Sequence, residues 1–231
     1  NFLGSGGVDN VGLASSLTSG SVYDGGAGND TLTLFTGSSN FASITNFRNI
    51  FGAGSSEFLE FEAPLQASFN TIVDMGGGTF DELTLADGGN DLTVANTETI
   101  TGGSGADILR LSDFNTEDVD LAGGTDEVVL NAGAGTFNFF IFDGVETVTG
   151  SFATSEVLDL TSIGNSLSGT LFDLGLLNDA DDVQLGNLGN TVSIKTLASL
   201  SSGTGNDTVT LASAMVGSID LGGGSDTAVS Y

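Results

Sequence analysis

Residues 102–131 read GGSGADILRLSDFNTEDVDLAGGTDEVVLN, and this stretch holds the plan of the whole chain. It contains two glycine-rich loops, each ending in an aspartate, Asp107 and Asp126. After each loop apolar side chains alternate with polar ones, as ILRLS (108–112) and EVVLN (127–131). Alternation with a period of two marks short, half-buried β-strands, and the glycines mark tight turns between them. Helix signals are weak, because β-branched residues and Gly dominate and no long 3.6-period stripe with caps occurs.

The same unit recurs in both directions. Its acidic positions are Asp30, Glu57, Asp81, Asp107, Asp126, Glu156, Asp182, Asp207 and Asp226, spaced 19 to 30 residues apart. Loops of a first kind carry a second, leading aspartate: Asp24–Asp30, Asp74–Asp81, Asp120–Asp126 and Asp220–Asp226. Asp173–Asp182 is a degenerate copy that has lost its glycine cluster and reads as a plain turn. Loops of a second kind lack the leading Asp and lie at 52–57, 102–107, 150–156 and 202–207, with a period of 50, 49 and 51 residues.

A unit this small cannot bury its apolar face alone, so units must stack. The expected fold is all-β: a parallel β-solenoid (β-helix or β-roll) of about 25 residues per coil. It forms one domain over 1–231, with 1–20 as a candidate N-terminal stacking coil. A coil of twice that length would set Arg48 directly against Glu98, one 50-residue period later. The phenylalanine-rich run FNFFIF (137–142) is expected in the core or in a ladder between subunits.

Composition narrows the function. The 231 residues include 30 acidic and three basic side chains (Arg48, Arg110, Lys195), for a net charge of −27, and neither Cys nor His. Nucleic acid and anionic membrane are poor partners for such a surface, since both need clustered Lys and Arg. No apolar run approaches the roughly 20 residues of a membrane span. Thiol and imidazole chemistry are absent, so any metal is held by oxygen. The first ten residues, NFLGSGGVDN, carry neither the basic nor the apolar region of a signal peptide.

Glycine and aspartate together suit a hard cation. Gly lets backbone carbonyls turn toward one point, and Asp adds anionic oxygens, the ligand types that Ca²⁺ takes six to eight at a time. Stacked loops would pile up like charges, and a cation between turns would relieve that repulsion. Ordinary solvated turns, with Asp in Asx-turns and Gly in left-handed positions, are the competing reading for any single loop.

GGAGNDTLT (25–33) and GGSGADILR (102–110) resemble the nonapeptide of the RTX, or haemolysin-type, calcium-binding repeats, and SGTGNDTVT (202–210) departs only in its first position. The resemblance implies Ca²⁺ ligands at Gly26, Gly28 and Asp30, at Gly103, Gly105 and Asp107, and at Gly203, Gly205 and Asp207. GGGTFDELT (76–84), LAGGTDEVV (121–129) and LGGGSDTAV (221–229) keep part of the pattern. They bring in Gly76, Gly78, Asp81, Gly124, Asp126, Gly222, Gly224 and Asp226, with the leading aspartates Asp24, Asp74, Asp120 and Asp220. The loop spacing exceeds that of back-to-back RTX repeats. With the recurring TETITG and VETVTG segments, it is most similar to RTX-bearing bacterial surface-layer proteins and adhesins.

Three classes of function compete. The favoured expectation is a non-catalytic extracellular structural protein that stacks end to end into a surface layer or filament. Its partners are other copies of itself and cell-surface glycans bridged by Ca²⁺. The alternative is a passive calcium-folding module of a larger adhesin, toxin or enzyme. Either would fit a bacterial cell surface reached by type I secretion. Catalysis is disfavoured: a glycosidase needs two facing carboxylates, and no pair stands out among so many.

Overall fold

A computed structural model describes residues 1–37, 39–65, 70–150, 155–175, 180–213 and 217–230. Its regular elements are all β-strands, and neighbouring strands pair in parallel. An 8-stranded sheet takes, in order, β1 (Phe2–Leu3), β3 (Ser21–Asp24), β5 (Ser39–Thr45), β7 (Phe58–Phe61), β9 (Glu82–Thr84), β11 (Thr99–Thr101), β13 (Asp118–Asp120) and β16 (Ile141–Asp143). A 12-stranded sheet takes the strands between them. These are β2 (Asn10–Gly12), β4 (Thr31–Thr33), β6 (Asn49–Phe51), β8 (Thr71–Asp74), β10 (Asp91–Ala95), β12 (Ile108–Leu111), β14 (Glu127–Leu130), β17 (Thr147–Thr149), β19 (Ser168–Asp173), β21 (Thr191–Thr196), β23 (Thr208–Leu211) and β25 (Thr227–Ser230). A 5-stranded sheet holds β15 (Gly135–Asn138), β18 (Glu156–Leu160), β20 (Asp182–Leu185), β22 (Ser199–Ser201) and β24 (Ser218–Asp220).

The chain thus alternates between two sides and climbs one coil with every second strand, giving a parallel β-solenoid. The alternating pattern explains the core. Side chains of one parity point inward and pile into columns, such as Leu32, Ile50, Val73, Val94, Leu111 and Leu130 along the 12-stranded sheet. Leu59, Leu83, Ile100, Val119 and Phe142 form the facing column, each wholly buried. Burial of one such side chain contributes about 1.5–3 kcal/mol. No helix of the described residues is long and apolar enough to cross a membrane.

Between the 8- and 5-stranded sheets the chain changes partners within one coil. β15 pairs forward with β18, while β16 pairs back with β13. Phe137, Phe139 and Phe142 are buried across this junction, so the phenylalanine-rich run is core, with Phe140 turned outward. The ring of Phe114 covers Phe137 edge-on at 4.8 Å.

The coil is shorter than the expected 25 residues. Steps run from 17 residues (Asp91 to Ile108) to 25 (Val157 to Asp182), about 20 per turn over about ten turns. The 50-residue sequence period therefore spans two and a half coils, and successive repeats land on opposite sides. Asp24 closes β3 in the 8-stranded sheet, Asp74 closes β8 in the 12-stranded one, and Asp120 closes β13 back in the first. Arg48 and Glu98 are likewise on opposite sides, before β6 and β11, so the longer coil that would join them is not the one formed. Arg110 and Lys195 pair with Asp91 and Asp173, as local counter-charges.

Candidate functional site

At most loop ends the closing residue turns its backbone N–H toward the next coil, ahead of the first ladder bond of its strand. Such a donor needs an acceptor once buried. The acid of the next coil supplies it. Asn90 N–H donates to Asp107 Oδ1 at 2.8 Å, Asp107 N–H to Asp126 Oδ1 at 2.8 Å, and Asp126 N–H to Glu146 Oε2 at 2.8 Å. A hundred residues on, Asn190 N–H donates to Asp207 at 2.8 Å and Asp207 N–H to Asp226 at 3.0 Å. At the opposite edge, Glu57 N–H donates to Asp81 at 2.6 Å and Asp81 N–H to Glu98 at 2.7 Å. Asp9 N–H donates to Asp30 at 2.7 Å. The acidic positions are therefore rungs of carboxylate-to-backbone ladders, and Asp30, Asp81, Asp107, Asp126 and Asp207 are all at most 1% exposed.

The leading aspartates do a different job. Asp24 accepts from Gly26 N–H at 2.9 Å, and Asp74, Asp120 and Asp220 accept from Gly76, Ala122 and Gly222 at 3.0 Å each. These are Asx-turns, which open the loop and tolerate positive φ at the residue after next. Asn46 and Asn96 of the following coils add side-chain donors to Asp24 and Asp74, at 2.7 and 2.8 Å. Asp24 and Asp74 are half-buried, whereas Asp120 and Asp220 are exposed.

The glycines let one loop lie flat on the last. A Cβ on Gly26, Gly28, Gly76, Gly103, Gly124, Gly222 or Gly224 would overlap a backbone carbonyl of the preceding loop, and one on Gly105 or Gly205 would overlap the Gly88 or Leu188 carbonyl. At Gly203 the obstacle includes the Asn187 amide, and at Gly78 it is the carboxylate of Asp81 itself. Loops thus stack in groups: 4–9 under 25–30, 52–57 under 75–81, and threes at 86–90, 102–107, 121–126 and at 186–190, 202–207, 221–226.

Each rung commits one oxygen to the ladder. The other, Oδ2 of Asp30, Asp81, Asp107 and Asp126 and Oε2 of Glu57, is buried with no hydrogen-bond partner. An unmatched buried carboxylate oxygen is costly, by several kcal/mol in the charged form. Burial accordingly raises the Asp81 carboxyl to about 6, against the bond from Glu57 N–H that lowers it, with the Glu98 and Glu57 charges adding to the rise. Asp126 is raised for the same first reason, reinforced by Asp107 and Glu146.

These orphan oxygens are the feature that a cation fits. Carboxylate oxygens stand beside loop backbones packed too closely for a side chain, a donor set made only of hard oxygen. Among the described residues no three acids gather at one point. A cation held here would take most of its ligands from backbone carbonyls.

Several rungs escaped the sequence reading. Asp9, Asn90 and Asn190 extend the ladders, and Glu98 and Glu146 cap them from tight turns. The signal for the last two was present, since TETITG and VETVTG each place a Glu before the strand. In the degenerate loop the rung is Asp181, which accepts from Glu156 N–H at 2.9 Å, and not the neighbouring Asp182, whose side chain is half-buried and bonded to Ser199 and Gln184. Residues 151–154 and 176–179 of the loops at 150–156 and 173–182 lie outside the described residues.

Fold and site together define a class: a two-sided parallel β-solenoid with acidic ladders along both edges. Comparison with known proteins finds no matching family model, no matching curated protein and no matching solved structure.

Proposed function

We propose that this chain is a non-catalytic extracellular structural protein whose solenoid is tightened by Ca²⁺ at the stacked acidic loops. The observation that carries the reading is the succession of buried, unmatched carboxylate oxygens at Asp107 and Asp126, on adjacent coils and linked by the bond from Asp107 N–H to Asp126 Oδ1. Asp30, Asp81 and Asp207, with the glycines above and below them, are the other candidate positions, and Asp226 closes the last stack. In a calcium-poor cytosol, repulsion among 30 acids keeps the chain loose and suited to export through a bacterial type I route. Outside, calcium near the 10⁻⁴–10⁻³ M range of extracellular modules closes the loops.

A scaffold of this kind meets its partners through sheet edges and through calcium. Among the described residues, the outermost strands β1, β2, β24 and β25 each have one unpaired edge, and such edges take up further strands. In the favoured reading these come from other copies, which yields a layer or filament. In the second reading they come from flanking coils of a larger adhesin, toxin or enzyme. Surface glycans bridged by Ca²⁺ are the further partner class that this charge allows.

Calcium titration from EGTA tests both readings, with circular dichroism and light scattering recorded together and magnesium as control. A β signal that sharpens with calcium, alongside large particles that EGTA disperses, is expected of the scaffold. A calcium-dependent monomer supports the module instead. A fold indifferent to calcium would make the loops plain turns and overturn both.

A further inference from the structure

We propose that the outer face of the 8-stranded sheet around Phe41 and Phe58 docks a cationic side chain of a partner protein, an arginine seated on the two rings between Glu60 and Glu82. The inference is independent of the calcium reading.

Strand parity puts all four residues on the outer face, since their neighbours Ala42, Leu59, Phe61 and Leu83 are buried. The ladder sets Phe41 beside Glu60 and Phe58 beside Glu82, and the two rings lie 5.2 Å apart at 46°. Both rings are half-exposed. Two apolar rings flanked by carboxylates form a surface that water serves badly and that a delocalised cation serves well. Guanidinium stacks on aromatic faces and forks onto carboxylates, whereas a hydrated Ca²⁺ gains nothing from a ring.

Charge indicates that the cation comes from outside. The chain has three basic residues; Arg110 and Lys195 are held by Asp91 and Asp173, and Arg48 precedes β6 in the opposite sheet. A net charge of −27 would draw a basic segment in, and the rings would decide where it stops.

The test uses ¹⁵N-labelled protein in excess calcium, titrated with the peptide Gly-Arg-Gly-Arg-Gly. Saturable shifts are expected at the amides of 39–45 and 58–61. The double variant Phe41→Leu, Phe58→Leu keeps the charge and the apolar surface but removes the rings, and should weaken binding about fivefold. Glu127→Gln, an outer carboxylate on the 12-stranded sheet with no aromatic neighbour in its ladder, should leave affinity unchanged. The proposal is overturned by no saturable binding, by shifts spread over the acidic loops, or by equal affinity in the leucine variant.

Discussion

Asp126 Oδ1 accepts the backbone N–H of Asp107 at 2.8 Å across 19 residues, one coil to the next, and Asp107 Oδ1 does the same for Asn90. An acid in this position is thus acceptor for the coil before and donor to the coil after. That double duty explains why the acidic position recurs where the glycine pattern decays, as at Glu57 and Asp181.

The ladder needs the acceptor more than the charge. Asp107→Ala leaves Asn90 N–H, now 2.8 Å from Asp107 Oδ1, without an acceptor, while Asn90 Nδ2 keeps the carbonyls of Ala86 and Gly88; the change should cost about 1–3 kcal/mol. Asp107→Asn keeps an acceptor and removes a buried charge, so without calcium it should be as stable as the parent or more so. Urea unfolding in EGTA separates the two. In calcium the Asn variant should fall behind the parent.

Loop stacking makes some glycines irreplaceable and others free. Gly105→Ala drives a methyl into the backbone at Gly88 and Gly89 and should cost more than about 3 kcal/mol or prevent folding. At Gly123 a Cβ would meet nothing within 4 Å, so Gly123→Ala should change stability by under about 0.5 kcal/mol. Thermal melts of the pair measure the contrast.

Ala122 sits at φ 60, where Gly26 and Gly222 occupy the same place in their loops at 81 and 66. A Cβ in the left-handed region costs roughly 1–2 kcal/mol. Ala122→Gly should therefore raise the unfolding free energy by about 1 kcal/mol, offset in part by the looser unfolded chain. A denaturant midpoint that did not rise would show that the loop absorbs the strain.

Acidity should stabilise the calcium-free protein. The Asp81 carboxyl is raised from 3.8 to about 6 in the fold, so its charged form is disfavoured there. That penalty is complete above pH 6 and is relieved as pH falls through 6 toward 3.8; raised Asp126 acts in the same direction. Melting temperature in EGTA should climb from about pH 7.5 to about 5. With calcium in excess the trend should flatten or reverse, because protons and the cation compete for the same oxygens.

Strand, loop and stack were all legible in the chain. The period of two in ILRL and EVVL can only bury one parity of side chain, and units too small to do so alone must stack. Glycine beside aspartate at a loop end likewise marked a tight turn, while the burial of the acid inside it came from the stacked coils.

Tertiary packing decided the rest. Which strands pair across the stack, not the strand pattern, sets the coil, with steps from 17 to 25 residues. The 50-residue repeat therefore closed two and a half turns, which put Arg48 and Glu98 on opposite faces. The same vertical contacts chose Asp181 over Asp182 and recruited Glu98 and Glu146 as caps, because the donors they satisfy belong to the coil before, about 20 residues away along the chain. Local pattern shows which residues turn inward; only the stacked coils show what each one meets there.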